Sequence, residues 1–364
     1  MLQFPFMVSK SSQVLNRASS TNWRSFLRAI FKSKKTRGIL QLLLSLALLA
    51  WLVNRAGLDS IISTLADIDW RWYLFAFLLF LSNLLLRSYR WYLLLNALDD
   101  HPSFRQLVYL YLLGFFFNNF IPSGFGGDVV KVLSLRQEHG RGAEALSSVI
   151  MDRLTGLIGS SLIALITLTW NHFQPWLGQA TNDLTLPSAL TASIAMISLG
   201  VPLGFMLVRW TDPIGWLASR VPFLRRLIVH AKLQRLLETI HRYPLPTLLR
   251  ALLTSIPFTL SLIVTQYSIA RALSVDVPFH LFPLFVPIIS IINLLPLSFN
   301  GLGMREGVYQ FLFVPMGISS ASAIAMSLAF YFLRVGTGLL GGLLLAIKNI
   351  NSLIRTARTN QMEL

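Results

Sequence analysis

The chain has 364 residues, of which 54% are hydrophobic and only 13% are charged, and its mean hydropathy is +0.62. Because about a quarter of the residues in a soluble domain are charged, this composition predicts an integral membrane protein. The charge is lopsided, with 31 Lys and Arg against 15 Asp and Glu. These basic residues lie between apolar blocks, so they indicate membrane topology and not nucleic-acid binding. With no Cys and six scattered His, no metal, cofactor or disulfide is expected.

Residues 1–38 form a basic segment with eight Lys and Arg and no acidic residue. Trp23, Phe26, Leu27 and Ile30 follow helical spacing, which puts an apolar stripe opposite a basic face. This pattern predicts a cytoplasmic tail with an amphipathic helix on an anionic membrane surface. A disordered basic tail is the alternative, and the Arg- and Ser-rich composition is also that of a targeting sequence.

Apolar blocks follow and predict an all-α integral membrane domain over residues 39–347. A helix needs roughly 20 residues to span a bilayer, so the first, third and seventh blocks are short. The third and seventh each end in an Asn, a Pro and a glycine cluster, which predicts re-entrant broken hairpins. We therefore expect about six spanning helices plus two such hairpins. The blocks cover residues 39–53, 72–86, 107–122, 146–170, 189–208, 251–270, 281–297 and 321–347.

The distribution of Lys and Arg predicts the orientation of the chain. If both short hairpins return to the side from which they enter, 26 basic residues lie on one side and four on the other. The positive-inside rule then places both termini in the cytoplasm, together with the loops at 87–105, 124–153 and 209–250 and the tail at 348–364. If both hairpins crossed the membrane fully, residues 131–141 would lie outside and the bias would weaken.

Residues 213–244 are too charged to span the membrane and carry two apolar stripes on nearly opposite faces. We expect a cytoplasmic interfacial segment, held to anionic lipid by about 1 kcal/mol for each basic residue near the surface. A solvated inside loop is the alternative. In the last block, Gly338 and Gly342 form a small-xxx-small pair that lets another helix approach closely. Packing within the monomer is expected, and a homo-oligomer seam is the alternative.

Two segments share one sequence plan: Asn, two apolar residues, Pro, a polar spacer, Gly-apolar-Gly, and then a carboxylate near a basic residue. Pro removes a backbone donor and Gly permits turns, so polar backbone groups are freed at membrane depth. Only protein or a water-filled cavity can satisfy such groups there. We expect the segments to enter from opposite faces, as in an inverted repeat, and to meet around a polar cavity; ordinary loops with Asp128 as a helix N-cap are the alternative. The residues are Asn119, Pro122, Gly124, Gly126, Gly127, Asp128 and Lys131 in the first segment, and Asn293, Pro296, Gly301, Gly303, Arg305 and Glu306 in the second.

Asp152, Arg153 and Arg334 lie inside predicted spans. A charge at the bilayer centre costs about 2.5–3.5 kcal/mol on insertion scales, so these residues are candidates for function. Arg suits bidentate binding of phosphate. We expect Arg153 and Arg334 to bind a phosphate head group, while Asp128 and Glu306 hold them in place or change protonation during the cycle.

The partners of two of these cations are also predicted. Arg334 lies deep in its block, so a partner such as Glu306, Asp128 or a lipid phosphate is expected. Arg305 and Glu306 are adjacent in the sequence, and adjacent residues on a helix do not face each other. We therefore expect Arg305 and Glu306 to bond to different partners.

The run at 119–131, the Asp152-Arg153 pair with Gly156, and the run at 296–307 resemble the flippase-like membrane domain of the lysylphosphatidylglycerol synthase family. The resemblance covers residues 39–347. Family members with aminoacyl-transferase activity carry a soluble catalytic domain after the membrane part, whereas this chain stops about 17 residues after its last block. The resemblance implies the stand-alone lipid-moving half, without the aminoacyl-transferase domain, and thus a protein that is not an enzyme.

We expect a lipid translocator of the bacterial inner membrane that moves a phospholipid or lipid-linked head group between leaflets. The sequence has no P-loop pattern, so we do not expect ATP to drive the lipid movement directly. An intramembrane enzyme acting on a lipid phosphate is a second interpretation, but the sequence has no Gly-x-Ser-x-Gly elbow and no His-based triad. A non-transporting accessory subunit is a third. The expected partners are membrane lipids with anionic head groups.

Overall fold

The computed structural model describes residues 34–120, 125–173, 188–210, 238–239, 241–293, 298 and 301–362. Across these residues the fold is all-α. Residues 1–33 and most of 213–244, for which an amphipathic tail helix and an interfacial segment were predicted, lie outside the described ranges. The helices are α1 (Lys34–Ala56), α2 (Leu58–Ala66), α3 (Trp70–Asn96), α4 (Phe104–Asn118), α5 (Gly126–His139), α6 (Gly142–Phe173), α7 (Ser188–Trp210), α8 (Leu245–Ala272), α9 (Phe282–Ile292), α10 (Met304–Phe313) and α11 (Ser320–Met362). Short 3₁₀ turns precede α9 and follow α10.

Within the described ranges, five helices are long and apolar enough to cross a membrane, namely α3, α6, α7, α8 and α11. The α1–α2 pair is a sixth candidate, bent by 84°. The bend falls at Gly57, whose φ of +87° is a conformation that residues with a Cβ rarely adopt. The all-α membrane fold with about six spans is therefore confirmed. The side on which each terminus lies stays a prediction.

The two short predicted blocks form helices that stop early. At 1.5 Å per residue, α4 is about 22 Å long and α9 about 17 Å, against about 30 Å for the hydrocarbon core. α4 ends at Asn118 and α5 begins at Gly126, while α9 ends at Ile292 and α10 begins at Met304. Both breaks fall at the predicted Asn- and Gly-containing segments, and re-entry into the membrane stays a prediction.

The prediction of a cytoplasmic loop at 87–105 is wrong for residues 87–96. α3 continues without a break to Asn96, so Arg87 and Arg90 are helical. The physical reason is that the apolar run resumes at Trp91, and Arg90 and Trp91 are both buried. Lys131 is also helical and buried, in the region predicted as the next inside loop. Arg87, Arg90 and Lys131 therefore do not support the predicted orientation of the chain.

The glycines of α11 pack against α4 of the same chain. A Cβ at Gly338 would lie 2.6 Å from Nδ2 of Asn119. One at Gly341 would lie 2.2 Å from a carbonyl oxygen of α4, and one at Gly342 would lie 2.4 Å from the Phe116 ring. Such distances leave no room for a side chain larger than hydrogen. Packing within the monomer is thus confirmed, and it fixes the first broken segment against α11.

Aromatic rings from three helices form the apolar wall of a cavity between the helices. Phe80 on α3 packs edge to face on Phe115 of α4 and Phe330 of α11, with ring centroids 5.6 and 5.7 Å apart. Edge-to-face pairs of this kind add about 0.5–1.5 kcal/mol beyond their buried area. All three rings line the cavity, so the packed core holds its polar residues in a defined place.

Candidate functional site

A cavity of about 210 Å³ lies among α3, α4, α5, α6, α8, α9 and α11. Both broken segments border it. Asn118, Asp128 and Lys131 come from the first segment, whereas Ser290 and Asn293 come from α9 and the start of the second. Residues of the first segment and Asn293, the first residue of the second, thus border one polar cavity. The entry of the two segments from opposite faces stays a prediction.

The cavity is strongly cationic. Its lining holds cationic side chains from α3, α5, α6 and α11. They are Arg87, Arg90, Lys131, Arg153 and Arg334. Among the described residues, Asp128 is the carboxylate in the lining and Asp152 is bonded to the lining residue Arg90. The five cations and two carboxylates leave a formal excess of three positive charges.

Asp152 fixes Arg90 at one wall of the cavity. Arg90 Nε lies 2.7 Å from Asp152 Oδ1, and both side chains are 2% exposed. Tyr111 donates a hydrogen bond to the other carboxylate oxygen, and Arg90 Nη1 donates to Ser255 Oγ at 2.9 Å. Gly156 leaves the space that the guanidinium fills, since a Cβ there would lie 2.8 Å from Nη1. Arg90 is thus held by a closed network between α3, α4, α6 and α8.

Asp128 connects two further cations. Its Oδ1 lies 3.0 Å from Lys131 Nζ, one helical turn away on α5, and its Oδ2 forms an ion pair with Arg153. Lys131 Nζ also lies 3.8 Å from the centroid of the Tyr111 ring. Because α5 already begins at Gly126 and the Asp128 carboxylate is engaged by cations, the simple N-cap interpretation is wrong.

Two cavity arginines differ from the other three cations. Among the described residues, neither Arg87 nor Arg334 forms an ion pair with a carboxylate. The Nε groups of Arg87 and Arg153 are buried without a hydrogen-bond partner. A buried donor left without an acceptor costs about 1–3 kcal/mol. The cavity therefore presents N–H donors that an anion could satisfy.

The charged pair of the second segment lies outside the cavity lining. Arg305 and Glu306 are 0% exposed, and Arg305 Nη2 lies 2.8 Å from Glu306 Oε1. Arg305 Nε donates to Ser327 Oγ at 2.8 Å, and the Ser327 hydroxyl donates to Glu306 at 2.9 Å. The prediction of different partners is wrong, because the long Arg side chain folds back and both residues bind the same serine on α11.

Glu306 also closes the end of its own helix. Its Oε2 accepts a hydrogen bond of 2.6 Å from the backbone N–H of Gly303, as in a capping box. Gly301 and Gly303 have φ values of +83° and +78°, which residues with a Cβ rarely adopt. Gly301, Gly303, Arg305 and Glu306 therefore build the turn and lie outside the cavity lining, whereas Asn293 lines the cavity.

The glycines of the first segment bring α4 and α5 together. A Cβ at Gly127 would lie 2.3 Å from the carbonyl oxygen of Gly114. Asn118 Oδ1 accepts a hydrogen bond of 2.7 Å from the Gly127 N–H, which joins the two sides of the break. Three predicted site residues lie outside the described part of the chain. They are Pro122, Gly124 and Pro296.

Arg87, Arg90 and Tyr111 are cavity residues that the sequence analysis missed. Arg87 and Arg90 are three residues apart, hence on one helical face, with apolar residues on both sides. That spacing inside an apolar run was the available signal. Tyr111 gives no such signal, because its role comes from contacts with residues distant in sequence.

These features define a polytopic membrane protein with a cationic cavity between two broken helical segments. The sequence profile described as "Lysylphosphatidylglycerol synthase TM region" matches residues 38–342. The chain belongs to this family, so the resemblance seen in the sequence motifs is confirmed.

Curated relatives are similar across the membrane domain. A UPF0104 membrane protein of Methanothermobacter thermautotrophicus is 25% identical over 312 residues, which cover 80% of this chain and 87% of the relative. UPF0104 membrane proteins of Pyrococcus horikoshii and Methanocaldococcus jannaschii are both 29% identical, over 33% and 34% of this chain and 36% and 38% of their own. The multi-pass membrane assignment is confirmed. Since these relatives are archaeal, the bacterial inner membrane stays a prediction.

Proposed function

We propose that this protein moves a lipid with an anionic, phosphate-bearing head group between the two leaflets, with the cavity as the head-group site. One observation carries the proposal. Arg87 and Arg334 face a cavity inside the membrane domain, and no carboxylate among the described residues pairs with either. A net positive charge at membrane depth is costly. An anionic head group would supply the missing countercharge.

The arrangement of the five cations suits transient binding. Arg presents a planar fork that matches phosphate oxygens bidentately. Asp128 and Asp152 hold Lys131, Arg153 and Arg90 in place, which leaves Nε of Arg87 and the fork of Arg334 for the ligand. A head group in the cavity with its acyl chains in the bilayer would avoid the barrier that hydrocarbon presents to charge. Movement would be downhill or coupled to an ion gradient.

The same contacts favour transport over chemistry. A general base must be available to accept a proton from the reacting group. Both Asp128 oxygens pair with cations, and both Asp152 oxygens accept from Arg90 or Tyr111. A carboxylate engaged in this way serves to position cations. We therefore propose a translocator that is not an enzyme.

A leaflet-exchange assay tests this proposal. The purified full chain is reconstituted into liposomes with acyl-labelled fluorescent phosphatidylglycerol or phosphatidic acid, in parallel series, in both leaflets, and an impermeant reductant is added outside. Wild type should expose the inner-leaflet lipid to the reductant, whereas Arg334→Gln should leave it protected. Arg105→Gln is the matched control, because Arg105 is an exposed residue at the start of α4 outside the cavity.

Three outcomes decide the proposal. Exchange by wild type and by Arg105→Gln, with loss in Arg334→Gln, supports it. Exchange by Arg334→Gln at the wild-type rate contradicts it, and so does a wild-type rate equal to that of protein-free liposomes. Chromatography of the lipid after the assay separates transport from an enzymatic reaction, because a translocator leaves the lipid chemically unchanged.

A further inference from the structure

We infer that the cavity selects a phosphomonoester head group, with two negative charges, over phosphodiester and zwitterionic head groups. This inference rests on the proposed function and names the substrate class of the same site. Four observations carry it: the size of the charge excess, the number and origin of the free donors, the pairing of the carboxylates and aromatic rings, and the size of the cavity.

The charge excess matches a doubly charged ligand best. The lining and its bonded carboxylates leave three positive charges uncompensated. A phosphomonoester carries about −1.5 to −2 at pH 7, since its second pKa is about 6. A phosphodiester carries a single negative charge, and a zwitterionic head group adds no net charge. The phosphomonoester therefore removes most of an unfavourable excess at membrane depth.

The donors converge from separate helices. Arg87 lies on α3, Arg153 on α6 and Arg334 on α11, and all three line the cavity. The Nε groups of Arg87 and Arg153 are buried without a hydrogen-bond partner. A phosphomonoester has three terminal oxygens that can accept from three directions, whereas a phosphodiester has two. Donors on three helices thus fit the monoester geometry.

Among the described residues, the lining leaves no free carboxylate for an ammonium or choline group. Such groups bind carboxylates or the faces of aromatic rings. The carboxylates of Asp128 and Asp152 are already paired with cations. Two of the lining rings already carry cations, since Lys131 lies over Tyr111 and Arg87 lies over Phe258, at 3.8 and 5.7 Å from the ring centroids. A third lining ring, Phe80, packs edge to face on the other two, Phe115 and Phe330.

The size of the cavity agrees with a small head group. Its volume of about 210 Å³ is below the range of about 300–1,000 Å³ for sites that take drug-sized ligands. A phosphate with no further substituent is the smallest lipid head group of this charge. The cavity thus matches a lipid phosphomonoester in charge, donor geometry and size.

Competitive lipid binding to the purified full chain tests the inference. Native mass spectrometry is run on wild type in detergent with equal amounts of phosphatidic acid, phosphatidylglycerol and phosphatidylcholine of identical acyl chains. We expect at least about tenfold more bound phosphatidic acid than phosphatidylcholine, which corresponds to about 1.4 kcal/mol, with phosphatidylglycerol between them. Equal binding of the three lipids would overturn the inference.

Variants and a soluble competitor assign the preference to the cavity. Arg87→Gln and Arg334→Gln should each lower the preference for phosphatidic acid, and Arg105→Gln should keep it. A preference that survives both cavity replacements would overturn the assignment, and if a variant fails to fold, the wild-type series still decides. Inorganic phosphate should displace phosphatidic acid only at a large excess. Displacement at equal concentration would show that the ligand is soluble phosphate and not a lipid.

The two proposals fail in different ways. Selective binding of phosphatidic acid without leaflet exchange of any lipid would overturn the proposed transport and leave the head-group selectivity intact. Leaflet exchange of all three lipids, together with equal binding, would leave transport intact and overturn the selectivity.

Discussion

The two broken segments share one sequence plan, yet their charged residues have opposite surroundings. In the first segment, Asp128 and its partner Arg153 keep 15% and 20% of their side-chain exposure at the cavity. In the second, Arg305 and Glu306 are 0% exposed and are bound to each other and to Ser327. This difference indicates that the plan specifies a break in a membrane helix, and that the partners of its charges decide whether those charges face the cavity or are bound within the fold.

The largest expected effect comes from removing one charge of the second segment, which tests the structural role of its ion pair. Arg305→Met leaves Glu306 as an unpaired buried carboxylate, and losing one partner of a buried pair costs about 3–5 kcal/mol. We expect a large drop in the melting temperature of the detergent-solubilised protein. The same change at Arg334, which forms no ion pair among the described residues, should lower the melting temperature little.

A double variant serves as the control for that experiment. Arg305→Met with Glu306→Gln removes both charges, while the amide oxygen introduced at position 306 can still accept from the Gly303 N–H. Replacing a buried ion pair as a unit is often neutral, so the double variant should regain much of the lost stability. If Arg305→Met melted with wild type, the structural role of the pair would be wrong.

The sequence was sufficient for the features that depend on local pattern. The apolar blocks predicted the spanning helices, and the Asn, Pro and Gly residues predicted where α4 and α9 stop. Two of the residues that border the cavity from the first segment, Asp128 and Lys131, were also predicted. These properties follow from hydropathy and backbone chemistry, which a local window of sequence contains.

The sequence was insufficient where a role comes from a distant partner. Arg90 is bound to Asp152, 62 residues away in the chain, and no periodicity encodes that contact. The count of basic residues placed Arg90 in a loop, because Arg87 ended the predicted apolar block. The ion pair with Asp152 allows Arg90 to be buried in a helix instead. The partners of Arg305 and Glu306 were wrongly predicted because side-chain reach at a helix start overrides the spacing rule.

Crowding at a glycine gives a second, smaller effect in the first segment. Gly127→Ala would put a Cβ 2.3 Å from the Gly114 oxygen, so α4 and α5 must separate. Overpacking of this kind costs about 1–3 kcal/mol. The melting temperature should fall, and that of the control Gly200→Ala should not, because a Cβ at Gly200 meets no heavy atom within 4 Å. Equal melting of the two variants would contradict the close crossing of α4 and α5.

The smallest predicted effect concerns pH and tests whether the cavity bordered by the first segment binds a phosphomonoester. A phosphomonoester gains its second negative charge as pH rises through its second pKa of about 6. Since the cavity is cationic, the affinity for phosphatidic acid should rise severalfold between about pH 5 and pH 8. Phosphatidylglycerol, whose charge is constant over this range, is the control. Parallel profiles for both lipids would contradict recognition of the second charge.

The central claim is that a cationic, water-accessible cavity lies inside the membrane domain, and the absence of Cys from the chain permits a direct test. Ser290→Cys places a thiol in the cavity lining. Ser268→Cys is a matched control, because both hydroxyls bond the carbonyl four residues earlier, at 2.8 and 2.7 Å, and Ser268 is fully buried away from the cavity lining.

The decisive measurement is the rate at which water-soluble thiol reagents of opposite charge modify these two thiols in the reconstituted protein. We predict that the anionic reagent modifies Ser290→Cys faster than its cationic analogue, that phosphatidic acid slows this reaction, and that Ser268→Cys stays unmodified. An unreactive thiol at position 290, or one that reacts faster with the cationic reagent, would contradict the account.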